Sequence, residues 1–317
     1  MGEFELIRQF FQPLAETAGT DQLILGPGDD CAIQRVPPGR DLVFSVDTLV
    51  EGVHFPKHYH SFYLGWRALA VATSDLAAMG AEPVCFTLAL TLPEADTEWL
   101  TGFADGLARA SRAFGIALAG GDTTRGPLTL SLQVHGTVAE GGGLRRAGAC
   151  VGDLVCVSGC LGDAGAALAF LEVAEPSPVQ QAVLAQYHYP EPRLALGQQV
   201  QGLASAAIDI SDGLLADLQH ILAASGVGAE LDVSKVPLSP ALQKLHGKEA
   251  VELALTAGDD YQLCLTIAPE QWQQLPAGVQ AELTVVGQVE AQPGLRLKGG
   301  GSERWRQTGF DHFGRTV

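Results

Sequence analysis

Aspartates that follow apolar runs or lie in glycine-rich loops are the residues of this sequence with the clearest potential for chemistry. They occur in Gly28-Asp29-Asp30, Ser45-Val46-Asp47-Thr48, Ser74-Asp75-Leu76, Gly120-Gly121-Asp122-Thr123, Asp209-Ile210-Ser211-Asp212-Gly213 and Gly258-Asp259-Asp260-Tyr261. A carboxylate at the rim of a buried element loses hydration energy unless a positive partner compensates it. Oxygen ligands on loops suit hard divalent cations, above all Mg²⁺ when phosphates share the coordination sphere. The pattern therefore predicts an enzyme that acts on a Mg-bound nucleotide.

Each stretch taken alone also has a purely structural interpretation. Asp29 and Asp30 suit a turn, and Asp47 suits the end of a strand. Asp75 is harder to explain in this way, because a helix over residues 61–79 would place it near a packed apolar stripe, where a carboxylate needs a partner. Ser211 or Asp212 could serve as a helix N-cap, although a helix N-terminus is also a site for phosphate.

The familiar nucleotide and nucleophile motifs are missing from the sequence. There is no Walker P-loop, since the only Gly-Lys pair, Gly247-Lys248, is followed by Glu249. The protein-kinase His-Arg-Asp set, the dinucleotide Gly-x-Gly-x-x-Gly and the Gly-x-Ser-x-Gly elbow are also missing. A nucleotide must therefore be held by another fold.

Alternating strands and helices are predicted in both halves of the chain, which indicates α/β or α+β domains. The Gly-rich stretch at 140–143 is the best candidate for a boundary between two domains. Helices are predicted at 3–18, 61–79, 97–114, 163–171 and 193–203, and a further helix from the Ser211-Asp212-Gly213 turn to residue 224. Strands are predicted at 41–47, 84–92, 116–119, 128–138, 155–158, 206–210 and 261–267.

Charge and hydropathy exclude several classes of partner. The net charge of −17 and the pI of about 4.7 disfavour binding to nucleic acid or to anionic membranes. No apolar stretch reaches the roughly 18 residues of a membrane span, and the N-terminus does not resemble a signal peptide. Scattered cysteines among apolar neighbours indicate reduced thiols, so a cytoplasmic location is expected.

The motifs, taken together and in this order, resemble those of the thiamine-monophosphate kinase family, in the superfamily of aminoimidazole ribonucleotide synthetase. The resemblance covers nearly the whole chain. The matching stretches are residues 2–7, 26–32, 45–55, 74–81, 88–93, 120–126, 208–214 and 309–313.

The resemblance implies a two-domain α/β (α+β) fold and an activity. The N-terminal domain, 1–140, would bind Mg²⁺ and ATP and would use a mixed sheet for dimerisation, and the C-terminal α/β domain would span 150–317. Such kinases are homodimers that use ATP and several Mg²⁺ ions to convert thiamine monophosphate to thiamine diphosphate.

The resemblance also assigns residues to ligands. The metal ligands would be Asp30, Ser45, Val46, Asp47, Asp75, Asp122, Asp209 and Asp212. ATP would contact Gly121, Asp122, Arg146 and Ser211, and thiamine monophosphate would contact His54, Asp259 and Phe310, with Trp305 as the alternative aromatic residue. Two positions depart from the family: Asp259 replaces a glutamate, and Val46 replaces a threonine, which is harmless if that residue offers only its carbonyl oxygen.

No general base is expected, because the acceptor is a phosphate oxygen that is already anionic near neutral pH. The expected reaction is direct in-line transfer assisted by Mg²⁺. Two alternatives remain open at this stage. One is another ATP-dependent enzyme of the superfamily, such as a purine-synthesis ligase or a selenophosphate synthetase. The other is a non-catalytic protein that binds Mg-nucleotide or thiamine phosphate.

Overall fold

The computed structural model describes residues 2–16 and 20–299. The chain divides into two compact units. Unit 1 comprises Met1–Leu76 and Ala81–Gly143, and unit 2 comprises Ala77–Gly80 and the chain from Leu144 onward. Each unit contains sheets and helices, so the predicted mixed α/β class is confirmed.

Unit 1 is built on a mixed four-stranded sheet of order β3-β6-β4-β5, in which only β4 and β5 run parallel. The helix that connects these two parallel strands is α3, as a parallel crossover requires. A small antiparallel pair, β1 and β2, precedes the sheet. The strands are β1 (Leu23–Leu25), β2 (Ile33–Gln34), β3 (Arg40–Val50), β4 (Glu82–Leu92), β5 (Ala117–Arg125) and β6 (Thr129–Ala139), and the helices are α1 (Glu3–Leu6), α2 (Ser61–Ala78) and α3 (Thr97–Phe114).

Helices α2 and α3 pack closely because glycines lie where they cross. A Cβ atom on Gly65 would lie 2.2 Å from the carbonyl oxygen of Phe103, and one on Gly106 would lie 2.0 Å from that of Phe62. Helix α3 is preceded by the N-cap Asp96, whose side chain accepts two backbone N–H groups. It is followed by the C-cap Gly115, which lies in the left-handed region. These local signals explain why the sequence predicts α3 to its last residue.

Three local expectations in unit 1 are wrong. The strand expected over 116–119 continues to Arg125, so Gly120, Gly121 and Asp122 lie within β5 and not in a loop. The single helix expected over 3–18 is instead α1 followed by a π turn over Ile7–Phe11 and a 3-10 turn over Gln12–Glu16, where Pro13 removes a backbone donor. The strand expected to end at Asp47 continues to Val50. Asp47 therefore lies within a paired strand, opposite Leu132, and not in a loop.

Unit 2 is built on a six-stranded sheet of order β12-β9-β11-β7-β10-β8, in which only β12 and β9 run parallel. The strands are β7 (Leu154–Ser158), β8 (Ala204–Ile210), β9 (Gly228–Asp232), β10 (Gln262–Ile267), β11 (Leu283–Glu290) and β12 (Gly294–Lys298). The helices are α4 (Asp163–Ala167), α5 (Pro178–His188), α6 (Leu194–Gln199), α7 (Leu214–Ser225), α8 (Pro240–His246), α9 (Ala250–Thr256), α10 (Pro269–Trp272) and α11 (Ala277–Ala281).

The sheet of unit 2 is covered on both faces. Strand β10 is buried throughout, with Leu263 and Leu265 in the cluster that contains α6, and Cys264 in the cluster that contains α7. Burial on both faces explains the apolar run Leu263-Cys264-Leu265 at the centre of the strand. Strand β8 lies at the edge of the sheet, so its C-terminal end delivers Asp209 to the border of the core. Among the described residues, no helix is both long and apolar enough to cross a membrane.

Candidate active site

A cavity of about 940 Å³ in unit 1 brings two predicted loops together. Its lining includes Asp29 and Asp30 from the loop before β2, and Gly120, Gly121 and Asp122 from β5. Both Asp30 and Asp122 are exposed to solvent. The cavity therefore has two accessible carboxylates and a glycine-rich edge, which suits a polyphosphate with a bound cation.

Gly121 is required where β5 passes β4. A Cβ atom at this position would lie 1.9 Å from the carbonyl oxygen of Leu88 on the neighbouring strand. No side chain fits at that distance, so a glycine lets the two backbones approach. At Gly120, by contrast, a Cβ atom would meet no described atom within 4 Å. The two adjacent glycines of the motif thus have different roles in packing.

A second acidic group in unit 1 consists of Ser45 and Asp47 on β3 and Asp75 on α2. Ser45 Oγ donates a hydrogen bond to Asp75 Oδ2. Burial, and secondarily the negative charge of Asp75, raises the pKa of Asp47 from 3.8 to about 6. A bound cation would offset the repulsion between the two carboxylates and would favour the ionised form of both. This group is therefore a candidate cation site.

The two acidic groups of unit 1 are separated by the width of the sheet. The register places Asp47, Leu132, Leu88 and Gly121 in one row across four strands. Three strand spacings amount to about 14 Å. Asp122 follows Gly121 and belongs to the row of Thr48, so its side chain points to the opposite face from Asp47. Asp47 and Asp122 of one chain therefore do not share an ion.

Val46 and His54 flank the Asp47 group. The side chain of Val46 is 62% exposed and points away from the face of Ser45 and Asp47. Only its backbone carbonyl could contact an ion on that face. His54 lies in the turn after β3, where its Nδ1 accepts the backbone N–H of Val50 at 3.0 Å. This hydrogen bond places the proton of the neutral ring on Nε2, which makes Nε2 a donor.

In unit 2, the junction between β8 and α7 carries three of the predicted residues. Asp209 is 5% exposed at the end of β8, and Ser211 and Asp212 follow in the turn. The N-cap of α7 is Gly213, with φ of 109°, so neither Ser211 nor Asp212 has that role. Instead, the backbone N–H groups of Ser211 and Asp212 both donate to Oδ2 of Asp217, each at 3.0 Å.

Asp217 therefore changes what the junction can bind. Its side chain is buried among α7 residues, and burial is the main cause that raises its pKa from 3.8 to about 7. Because the amides of Ser211 and Asp212 are already bonded, they do not form a phosphate cradle at this helix N-terminus. A ligand at this junction would therefore have to contact the side chains of Ser211 and Asp212 and not their amides.

Asp259 lies in a loop that rests on this junction. Its backbone N–H donates to the carbonyl oxygen of Ser211 at 2.8 Å, and the N–H of Tyr261 donates to that of Ile210 at 2.8 Å. The hydroxyl of Tyr261 also donates to Asp259 Oδ1 at 2.8 Å. A Cβ atom on Gly258 would lie 2.2 Å from the oxygen of Ser211. Asp259, Ser211 and Asp212 are therefore brought together.

The loop of Asp259 is strained and anchored. Asp259 and Tyr261 have φ angles of 69° and 49°, a region that non-glycine residues rarely adopt. Asp260 lies between these two residues, and both of its carboxylate oxygens accept the N–H of Gly162, at 3.0 and 2.9 Å. Burial raises the pKa of Asp260 well above its usual value. Asp260 thus serves as an internal anchor of this loop.

Arg146 and Phe310 are the remaining predicted contacts. Arg146 is exposed, in a segment that runs beside β8, since Ala207 N–H donates to the carbonyl oxygen of Arg145 at 2.8 Å. Phe310 and the alternative residue Trp305 lie outside the described residues.

Sequence reasoning missed Asp217 and did not separate Asp260 from Asp259. A signal for Asp217 was present, because it lies at helical spacing between Leu214 and Ile221 on the apolar stripe of α7. A carboxylate on such a stripe needs hydrogen-bond partners. For Asp260 there was no comparable local signal, because Gly-Asp-Asp also suits an exposed turn.

The donor groups suit Mg²⁺, although they do not form an enclosed site in the part of the chain that the structure describes. Within residues 2–16 and 20–299, no three His, Cys, Asp or Glu side chains lie close enough to hold a metal ion. Mg²⁺ commonly binds through one or two carboxylates, waters and substrate phosphates. The oxygen-only groups at Asp47 and Asp75, at Asp30 and Asp122, and at Asp212 fit that mode of binding.

Comparison with known proteins identifies the family. A family model for the N-terminal domain of AIR synthase related proteins matches residues 28–138, and one for the C-terminal domain matches residues 151–300. The thiamine-monophosphate kinase of Salmonella typhimurium is 41% identical over 98% of both chains. That of Escherichia coli is 40% identical over the same shares.

Solved structures show the same relationship. The thiamine-monophosphate kinase of Stenotrophomonas maltophilia is 43% identical, with a TM-score of 0.83 over 88% of this chain and 92% of that chain. AaThiL, complexed with AMPPCP and TMP, is 33% identical, with a TM-score of 0.79 over 88% and 89%. The chain therefore belongs to the thiamine-monophosphate kinase family, within the AIR synthase related proteins.

Proposed function

We propose that this protein is an ATP-dependent kinase that converts thiamine monophosphate to thiamine diphosphate. The observation that carries this proposal is the similarity to thiamine-monophosphate kinases over 98% of both chains. The complex of AaThiL with AMPPCP and TMP supports the pairing of an ATP analogue with the acceptor. The acidic groups described above supply the chemistry that this reaction needs.

The cavity of unit 1 is the proposed site for the phosphates of ATP. Gly120 has open space beside it there, which permits close approach of an anionic ligand, and the adjacent Gly121, packed against Leu88, is the proposed backbone contact to ATP. Asp30 and Asp122 line the same cavity and would hold a cation, which would supply positive charge to the phosphates. Arg146 and the hydroxyl of Ser211 are the proposed further contacts to ATP.

Several Mg²⁺ ions are proposed as cofactors. Their ligands would be Ser45, Asp47, Asp75 and the carbonyl of Val46 as one group, Asp30 and Asp122 as another, and Asp209 and Asp212 as a third. Bound Mg²⁺ would neutralise the phosphates and reduce the repulsion between acceptor and donor. Because Asp47 has a raised pKa, the protein itself resists full ionisation of this group without a cation.

The acceptor is a phosphate monoester, so the chain needs no general base. Proton removal is unnecessary because the attacking oxygen is already anionic near neutral pH. The proposed tasks of the chain are therefore to bind and align. His54 would donate from Nε2 to the acceptor phosphate, and Asp259 and Phe310 would contact the thiamine moiety. The γ-phosphoryl group passes directly to the acceptor, so its phosphorus is inverted.

The protein is proposed to act as a homodimer in the cytoplasm. Leu42, Phe44 and Val46 alternate along the edge strand β3 and expose 41, 63 and 62% of their surface on one face. Such an apolar face favours pairing with a second copy. All six cysteines lie within the described residues and are free thiols, as a reducing compartment would allow. The functional domains are proposed to be 1–140 and 150–317.

Phosphorus NMR of the purified protein with Mg-ATP and thiamine monophosphate tests the activity. We expect thiamine diphosphate and ADP in equal amounts. Intact ATP, or hydrolysis to free phosphate without diphosphate, would contradict the proposed acceptor and favour another reaction or a binding role. With a chiral γ-phosphorus, inversion is expected, and retention would indicate a phosphoenzyme.

A further inference from the structure

Asp217 is a buried carboxylate that the reaction does not use directly. It is 2% exposed and lies on the first turn of α7, facing back toward the end of β8. One of its oxygens, Oδ2, accepts the N–H groups of both Ser211 and Asp212. A side chain that accepts two consecutive amides fixes the path of the backbone between them.

The consequence reaches beyond these two residues. The carbonyl of Ser211, whose own N–H is held by Asp217, accepts the N–H of Asp259. Gly258 packs directly against the same carbonyl, with no room for a side chain. The position of the Asp259 loop therefore depends on the turn that Asp217 holds. The carboxylate of Asp217 thus fixes the backbone path of Ser211, Asp212 and Asp259, which are proposed to bind ATP, metal and substrate respectively.

We propose that Asp217 is a positioning residue that holds the turn of Ser211 and Asp212, and through Ser211 the loop of Asp259, in the geometry needed for phosphoryl transfer. It contacts neither ATP nor thiamine monophosphate. The inference rests on the proposed function for its kinetic assay, but not for its structural assay. A displacement of about 1 Å at such a site lowers the rate by about 100-fold.

Asp153 provides a matched control. It is 3% exposed in the same unit, and its Oδ2 accepts the N–H of Cys150 at 2.9 Å and a hydrogen bond from Ser205 Oγ. Ser205 lies near the start of β8, five residues before Ile210, so the rise of a strand separates the two ends by roughly 17 Å. Substitution of Asp153 removes a comparable buried acceptor that contacts neither the turn of Ser211 and Asp212 nor the loop of Asp259. Because Asp153 also holds Cys150, in the segment of Arg146, this control is read by hydrogen exchange at the turn.

The experiment compares Asp217→Asn, Asp217→Leu and Asp153→Leu with the unsubstituted protein. Asparagine retains an acceptor oxygen, whereas leucine has a similar size and none. Hydrogen exchange of peptides that contain Ser211 and Asp212 reports the turn, calorimetry reports AMPPCP affinity, and steady-state kinetics separate kcat from KM. We expect Asp217→Leu to lose protection at two amides and about 100-fold in kcat/KM. Asp217→Asn should stay within about threefold of the wild-type kcat/KM, and Asp153→Leu should retain wild-type protection at the amides of Ser211 and Asp212.

Wild-type AMPPCP affinity and kcat/KM in a folded Asp217→Leu variant would overturn the proposal, as would an equal loss of protection at the amides of Ser211 and Asp212 in Asp153→Leu. If Asp217→Leu does not fold, Asp217→Glu tests the proposal in its place. Glutamate keeps the carboxylate but displaces it by one methylene, so the turn of Ser211 and Asp212 should shift and the rate should fall. A wild-type rate with Glu would also overturn the proposal. If the unsubstituted protein does not phosphorylate thiamine monophosphate, the proposed function fails, and exchange together with AMPPCP affinity still decides the role of Asp217.

Discussion

Replacement of Gly121 by alanine, with Gly120→Ala as its neighbour control, tests whether the glycine pair shapes the nucleotide cavity. The added methyl group at 121 would lie 1.9 Å from the oxygen of Leu88 and 2.8 Å from its carbonyl carbon. The nearest atoms are backbone, so no side-chain rotation can relieve the contact. The same methyl group at 120 would have open space.

The size of the effect follows from these distances. An ordinary van der Waals contact needs about 3.4 Å or more, so β5 must move away from Leu88 by roughly 1.5 Å. That displacement breaks or lengthens about two ladder hydrogen bonds, each worth about 1 kcal/mol, and adds overpacking strain of about 1–3 kcal/mol. We therefore expect Gly121→Ala to lose about 3–5 kcal/mol of stability, and Gly120→Ala to change it by less than about 1 kcal/mol.

Thermal and urea unfolding measure the stability of each variant. Calorimetry measures its affinity for AMPPCP, which reports on the nucleotide cavity. Gly121→Ala should unfold about 10 °C below Gly120→Ala, since each kcal/mol shifts the midpoint by a few degrees in a chain of this size. AMPPCP affinity should fall with it, because Asp122 moves with β5. Equal midpoints for the two variants would refute the close approach of β5 to β4, and unchanged AMPPCP affinity in Gly121→Ala would refute its role in the nucleotide site.

Three other results are expected. The pKa of Asp47 is raised from 3.8 to about 6, so its stabilising contribution is full below pH 4 and is lost as the pH rises through 6. Without metal, the protein should lose about 1.4 kcal/mol relative to Asp47→Asn between pH 5 and 7.5, and parallel urea curves would contradict this. Asp259→Glu should lower the KM for thiamine monophosphate while the KM for ATP stays constant, although φ of 69° tolerates Glu less well than Asp. Phe44→Asp on the exposed face of β3 should shift the mass measured by light scattering from dimer to monomer; an unchanged mass would exclude this face.

The elements with strong local signals could be predicted from the sequence. Helix α3 has an N-cap at Asp96 and a left-handed glycine at 115, and the structure reproduces its predicted limits. Helix α2 ends one residue before its predicted end. The N-terminal segment was mispredicted because Pro13 interrupts an otherwise amphipathic pattern. Local patterns therefore predict the elements that have clear caps or alternation. They do not predict β9, β11 and β12, which complete the sheet of unit 2 through pairing between distant segments.

The relative positions of the predicted ligands could not be derived from local patterns, because they depend on strand register. Asp47 and Asp122 look equivalent in the sequence, since each follows an apolar run. The register nevertheless sets them on opposite faces and about 14 Å apart across β3, β6, β4 and β5. Register is decided by pairing between distant segments, and a shift by one residue would exchange the faces.

The sequence also could not distinguish a carboxylate that binds a ligand from one that holds the backbone. Asp212 and Asp217 are five residues apart, and both lie near the start of α7. Asp217 is 2% exposed and has the amides of Ser211 and Asp212 as partners, so its carboxyl group is directed inward. Asp212 is partly accessible, and its own amide is one of those partners. The distinction arises because the helix returns Asp217 to the turn that precedes it, which frees the side chain of Asp212 from the task of capping. If Asp212 binds the proposed cation, a ligand site at this junction requires both carboxylates, one to bind and one to hold the binding residue in place.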